Sequence, residues 1–144
     1  AEGRFLTEDA RKKLSEIGAI IAGMKQMSTT AVIEYRDKLQ ERIRQLLGGA
    51  APVDGDRLAA EIAIFAERTS IDEELTRLES HAVQLAALLE AEEPVGRRMD
   101  FLLQEMNREA NTIGSKAGHA MLSQAVVLLK SEIEKLREQA QNVE

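Results

Sequence analysis

The sequence predicts an all-α protein, an elongated helical bundle with long coiled-coil-like helices, and three observations carry that prediction. Apolar residues recur at steps of three and four along most of the chain, which is the period of one helix face. The 44% hydrophobic content comes mainly from Ala, Leu, Ile and Met, while aromatics stand at 3% and Trp is absent. Helices favour that mixture, and the β-branched and aromatic runs that strands need are missing. The two prolines, Pro52 and Pro94, fall where one periodic segment gives way to another, so they read as punctuation between helices. At 144 residues the chain is long enough for one core and short for two.

The elements follow in order. Residues 7–47 carry Leu14, Ile17, Ile21 and Met24, then Val32, Tyr35, Leu39, Ile43 and Leu46, which predicts one long helix or two in line. The uncertain point is Ser28-Thr29-Thr30, three poor helix formers in a row. Gly48-Gly49 supplies a stop, and Ala50 to Gly55 reads as a loop. From Asp56 a short segment runs through Leu58, Ile62 and Phe65 to a break near Thr69. Ser70, followed three residues later by Glu73, has the form of a capping box opening the next helix. That helix carries Ile71, Leu75, Leu78, Ala82, Leu85 and Leu89 in four-three alternation, a coiled-coil-like seam.

Pro94 to Lys116 predicts a helix buried on Met99, Leu103, Met106, Ala110 and Ile113 and ended by Gly114 and Gly118. The last helix presents Leu122, Val126, Leu129, Ile133, Leu136, Ala140 and Val143 as the most regular seam in the chain. The organisation expected is an arm over residues 1–50, as a long helix or a helical hairpin, and a helical unit over 56–144. Seams of this regularity exceed what one small bundle obviously needs, which predicts self-association.

Composition excludes several function classes. With no cysteine there is no disulfide scaffold, no thiolate zinc site and no cysteine nucleophile. No apolar run reaches the length of a membrane span and residues 1–13 lack the apolar stretch of a signal peptide, so a cytoplasmic protein without a membrane partner is expected. A net charge of −6 argues against general wrapping of nucleic acid, and no DNA binding is expected. Any nucleic-acid site must be a local basic patch or rely on a bound cation.

The segment from Gly96 to Thr112 is the most informative. At about 100° per residue, Arg97, Asp100, Gln104, Arg108, Asn111 and Ser115 share a fan opposite the apolar side. Guanidinium and amide groups are donors suited to phosphates and base edges. A second stripe carries Arg98, Glu105, Glu109 and Lys116, with Glu105 and Glu109 one turn apart and able to approach one cation. Paired carboxylates beside guanidinium groups are what metal-assisted phosphodiester cleavage requires, as oxygen ligands for Mg²⁺ or Mn²⁺ and as positive charge for the phosphate. The same spacing equally suits surface ion pairs. His81, with Glu74, Arg77 and Gln84 on the polar side of its helix, is a candidate general base or metal ligand. His119, beside Gly118, is a weaker one. Asp72 and Glu73, at a helix N-terminus next to Arg68, are already explained by the helix dipole.

The run Glu67-Arg68 through Asp72-Glu73-Glu74-Leu75, Arg77-Leu78 and Ser80-His81, then Gly96-Arg97-Arg98-Met99-Asp100-Phe101, Gln104-Glu105, Asn107-Arg108-Glu109, Asn111-Thr112 and Ser115-Lys116, closing on Gln141-Asn142-Val143-Glu144, resembles the C-terminal region of the bacterial YicC-like proteins. The resemblance is dense from about Glu61 onward and loose before it. It implies a metal-dependent endoribonuclease that cleaves single-stranded RNA with Mn²⁺ or Mg²⁺, assembles as a homo-oligomer, hexameric in the intact protein, and takes part in small-RNA turnover. It also implies an N-terminal α/β domain that is not in this sequence. Carried over by position, Arg68, Arg77, Arg97, Arg98, Arg108 and Lys116 are the phosphate-binding candidates, joined by Gln104 and Asn111 of the fan. Glu105, Glu109, Asp100 and His81 are the catalytic candidates, and Glu105, Glu109, Asp72 and Glu74 the metal ligands. A rival reading is an adaptor whose seams mediate assembly and whose Arg/Asn face docks RNA or protein without cleaving it.

Overall fold

The computed structural model describes residues 2–48, 54–91 and 95–143, with side chains from Glu8 to Asn142 within those ranges. Gly49, Pro52, Pro94 and the side chain of Val143, used above as stops or as a seam position, lie outside the described residues. Among the described residues there are five helices and no strand: α1 (Glu2–Leu47), α2 (Gly55–Arg68), α3 (Asp72–Leu89), α4 (Gly96–Lys116) and α5 (Ala120–Val143).

α1 runs through Ser28-Thr29-Thr30 without a break. Within it Thr29 donates its hydroxyl to the Lys25 carbonyl at 3.3 Å, one turn back, a bond a threonine can make without leaving the helix. At 1.5 Å per residue the helix is about 69 Å long. Its end is set by Gly48, which takes the left-handed conformation with φ 62° that favours glycine after a helix.

α2 opens on Asp54, whose carboxylate accepts from the backbone N–H groups of Asp56 and Arg57 at 3.1 and 3.3 Å. It closes at Arg68, and Thr69 donates both its N–H and its hydroxyl to the Phe65 carbonyl at 3.0 and 2.8 Å. The break at Thr69 is therefore where the sequence puts it. The capping box is not formed as expected: α3 starts at Asp72, Ile71 occupies the cap position with no side-chain cap bond, and Ser70 Oγ reaches only the Asp72 N–H, at 3.5 Å. Burying Ile71 completely in the core fixes the entry of the chain instead.

Four elements close a bundle. The first half of α1 packs on α3 and α5, and α4 packs on the same two from the other side. Cross-helix bonds give the directions. Asp9 with Gln139, Arg77 with Glu109, and Asp100 with Arg137 each join the start of one helix to the far part of its neighbour, so neighbours run antiparallel. The core is built from Ile17, Ile21 and Met24 of α1, Leu78 and Leu85 of α3, Leu103, Met106 and Ile113 of α4, and Leu129, Ile133 and Leu136 of α5. Each such side chain contributes roughly 1.5–3 kcal/mol of burial. Gly114 sits inside α4 rather than ending it, and a Cβ there would lie in ordinary contact with Val126 Cγ1 of α5 at 3.4 Å.

The second half of α1 leaves this bundle and pairs with α2. No residue of α2 is buried, nor is any α1 residue after Met24, and the pairing is marked by Tyr35 and Phe65, stacked at 3.8 Å with rings 3° from parallel. The arm is thus a hairpin of residues from both sides of the 50–55 junction. α1 belongs to bundle and arm at once, so the division expected there does not coincide with the packing.

Candidate functional site

α4 faces three ways. Its apolar side enters the core on Met99, Leu102, Leu103, Met106, Ala110 and Ile113. One flank meets α5, where Arg137 Nε donates to Asp100 Oδ1 at 3.1 Å and Gln104 Nε2 donates to Asp100 Oδ2 at 2.8 Å. Both oxygens of Asp100 are therefore engaged, one of them across the α4–α5 contact, while Gln104, its partner within α4, is exposed. The outer face carries Arg97, Arg108 and Asn111, all exposed, with exposed Arg98 on its edge. Among the described residues Arg68, Arg98 and Arg108 make no ion pair, and of these Arg98 and Arg108 share the face of α4.

The opposite flank of α4 meets α3 and holds most of the charged candidates. Lys116 Nζ donates to Glu74 Oε1 at 2.6 Å and to the Ser70 carbonyl at 3.1 Å. One level along, Arg77 Nε donates to Glu109 Oε1 at 2.8 Å, with Glu73 at 3.9 Å from its terminal nitrogen. Glu74 and Glu109 are buried, 3% and 7% exposed, and are the buried charged residues of the described chain. Burial acts to raise the Glu74 pKa, but the hydrogen bond from Lys116, the backbone N–H and the positive charges of Lys116 and Arg77 outweigh it, so the carboxyl lies below its ordinary value. The Glu109 hydrogen bond in turn raises the Arg77 pKa, with the charges of Glu109, Glu74 and Glu73 adding to it against desolvation.

A further turn along both helices brings His81 of α3 and Glu105 of α4 to one level of the groove, because the antiparallel register set by Arg77 and Glu109 carries through at 3.6 residues per turn. Both are half-buried, and His81 Nδ1 is buried without a hydrogen-bond partner. Buried polar atoms are rarely left so unless a function or a ligand accounts for them.

The predicted metal set does not converge. Glu109 is held by Arg77, Glu74 by Lys116, and Asp72 is exposed at the start of α3. Among the described residues no group of three or more His, Asp or Glu side chains is gathered that could hold an ion. Helix spacing correctly put Glu105 and Glu109 on one stripe, but it could not show that α3 supplies the cation that engages Glu109. His119 lies away from this groove, with Nε2 at 2.9 Å from Glu34 Oε2, tying the bundle to the arm. No helix of the described residues is long and apolar enough to cross a membrane.

Sequence reasoning missed two features. One is Arg137, which was not singled out. The other is Phe101, quoted only within the motif run, which stands on the outer face of α4 at 61% exposure. Its angular position, between Arg108 and Glu105 and away from Met106, is the signal that would have found it.

Comparison with known proteins fits this arrangement. The family model for the C-terminal part of YicC-like endoribonucleases matches residues 24–144, further toward the N-terminus than the motif run quoted above. The chain is 44% identical over 143 residues to the probable endoribonuclease YicC of Clostridioides difficile, and 34% identical over 144 residues to that of Haemophilus influenzae. Each alignment covers 99% of this chain and 49% of the relative, so the chain spans about half the length of the curated relatives it matches. The α3–α4 charge network and the arginine face of α4 lie wholly inside the matched region, and the chain belongs to the YicC-like endoribonuclease family.

Proposed function

We propose that this chain carries the RNA-binding and cleaving surface of an endoribonuclease acting on single-stranded RNA. One observation carries the reading: on α4, Asp100 and Glu109 are neutralised by Arg137 and Arg77, while Arg98 and Arg108 stay exposed without an ion pair among the described residues. A chain of net charge −6 thereby has a local cationic surface, which phosphates seek and which needs no overall positive charge. The outer face of α4 holds the backbone, and the α3–α4 groove beside it supplies the acid–base groups.

Cleavage forms a P–O bond to the attacking oxygen and breaks the P–O bond to the leaving oxygen; a base takes the proton of the attacking hydroxyl and an acid returns one to the leaving oxygen. His81 is the group suited to either task near neutral pH. Glu105, on the same level, makes no ion pair among the described residues and is the groove carboxylate left to hold a divalent ion. Arg77 has its Nε engaged by Glu109, and its other N–H groups are half-exposed donors for a phosphate.

Dependence on Mn²⁺ or Mg²⁺ belongs to the proposal on the strength of the family resemblance. Such an ion, when bound, polarises the phosphate and lowers the pKa of a coordinated hydroxyl or water. Among the described residues no group of carboxylates forms a cage, so Glu105 would hold such an ion without a second protein carboxylate gathered beside it. We place the protein in the cytoplasm, in small-RNA turnover, as a homo-oligomer that is hexameric at the relatives' full length. The engagement of Glu74 and Glu109 by cations favours the adaptor as second reading, in which the same face binds RNA and nothing is cut.

Binding is tested by titrating a labelled single-stranded RNA at several salt concentrations. Arg98→Ala and Arg108→Ala should each weaken affinity and lower the salt slope by about 1, with the helical circular-dichroism signal unchanged. An unchanged slope would assign both residues to the solvated surface.

A further inference from the structure

Phe101 is, among the described residues, the single large apolar side chain that α4 exposes. Every other large apolar residue of that helix enters the core, so hydrophobic pattern alone does not explain it. Exposing a phenyl ring to water forfeits roughly 1.5–3 kcal/mol of burial, and Phe101 is the one aromatic among the exposed large apolar side chains of the described residues. Its surroundings point to a use. One turn before it stand Arg97 and Arg98, one turn after it Gln104 and Glu105, and two turns after it Arg108. Along the helix axis Arg98 is about 4.5 Å away and Arg108 about 10 Å, on either side of the ring. Asp100, the adjacent acid, is neutralised by Arg137.

A protein partner would meet one ring isolated among polar groups rather than an apolar patch. A nucleic acid strand meets a π-face with cations on both sides, which is how sequence-tolerant single-strand binders are built: phosphates on the basic groups and an unstacked base on the aromatic ring. Duplex RNA keeps its bases stacked and offers none to the ring. We infer that Phe101 is a base-stacking platform that selects single-stranded over duplex RNA at the outer face of α4.

This inference rests on the proposed RNA binding, and the test separates the two. Because the chain contains no tryptophan, Phe101→Trp installs a single tryptophan at the site, which can be excited apart from Tyr35. Adding a single-stranded oligoribonucleotide should quench it, and an equal concentration of duplex of the same sequence should leave it nearly unchanged. Phe101→Ala and Phe101→Leu should both weaken single-strand binding by roughly 5- to 100-fold with the salt slope retained, while duplex affinity stays at the parental level. Parental affinity in Phe101→Ala beside weakened Arg108→Ala would overturn the stacking role and leave RNA binding intact. Full affinity in Phe101→Leu would show apolar contact without stacking and also overturn it, as would a change of assembly state in Phe101→Ala with RNA affinity unaltered. Failure of the parental chain to bind RNA would overturn both.

Discussion

At the scale of single residues, the molecule invests its buried charge in the contact between α3 and α4. Glu74 depends on Lys116, since burial alone would push its pKa upward. Lys116→Met removes the cation and leaves a buried carboxylate, which should lower unfolding stability by about 3 kcal/mol in a urea titration, at the low end for buried pairs because Lys116 is itself partly exposed. The pH dependence has a defined sign. The folded pKa of Glu74 lies below 4.5, so its contribution is complete above about that pH and is lost as pH falls through the lowered value. The parental chain should lose stability across that acidic window, and Lys116→Met should lose less of it. Much of this site was legible in the sequence as residue types: Arg77, Glu74, Glu109 and Lys116 were all candidates. Their pairing was not, because periodicity describes one helix and the partners stand on two.

At the scale of elements, helix existence and buried faces followed from apolar spacing, since Leu122, Val126, Leu129, Ile133, Leu136 and Ala140 are all buried as the seam predicts. Continuity through Ser28-Thr29-Thr30 did not follow, because propensity weighs a few residues while the packing of Ile17, Ile21 and Met24 holds the helix preceding them. Thr29→Pro, which removes the N–H and collides with the preceding turn, should therefore cost about 3 kcal/mol or more and separate arm from bundle, seen as lost protection of the arm in hydrogen exchange. Leu129→Ala, in the centre of the core, should cost roughly 2–5 kcal/mol by the same urea titration.

At the scale of the whole molecule, the α3 and α5 seams are consumed inside the chain's own bundle, so they no longer argue for assembly. Exposed large apolar side chains remain on the bundle, at Val83, Phe101, Met121, Val127 and Leu128, and on the arm, where Ile33, Leu46, Leu47 and Ile64 offer one surface for assembly. If copies associate through it, light scattering should show a larger species for the parental chain, and Ile33→Lys with Ile64→Lys should shift it toward monomer without loss of helicity; a parental monomer at high concentration would contradict this. Arg98, Phe101 and Arg108, the face proposed to meet RNA, lie on α4 and not on the arm.

The most direct measurement follows labelled single-stranded RNA with Mn²⁺ or with EDTA, using this chain and a protein of the relatives' full length bearing the same substitutions. The account predicts cation-dependent fragments at full length, cleavage abolished in Glu105→Gln with RNA binding retained, and cleavage reduced in His81→Ala by a smaller factor. Fragments produced equally in EDTA, or parental cutting rates in both variants, would contradict it.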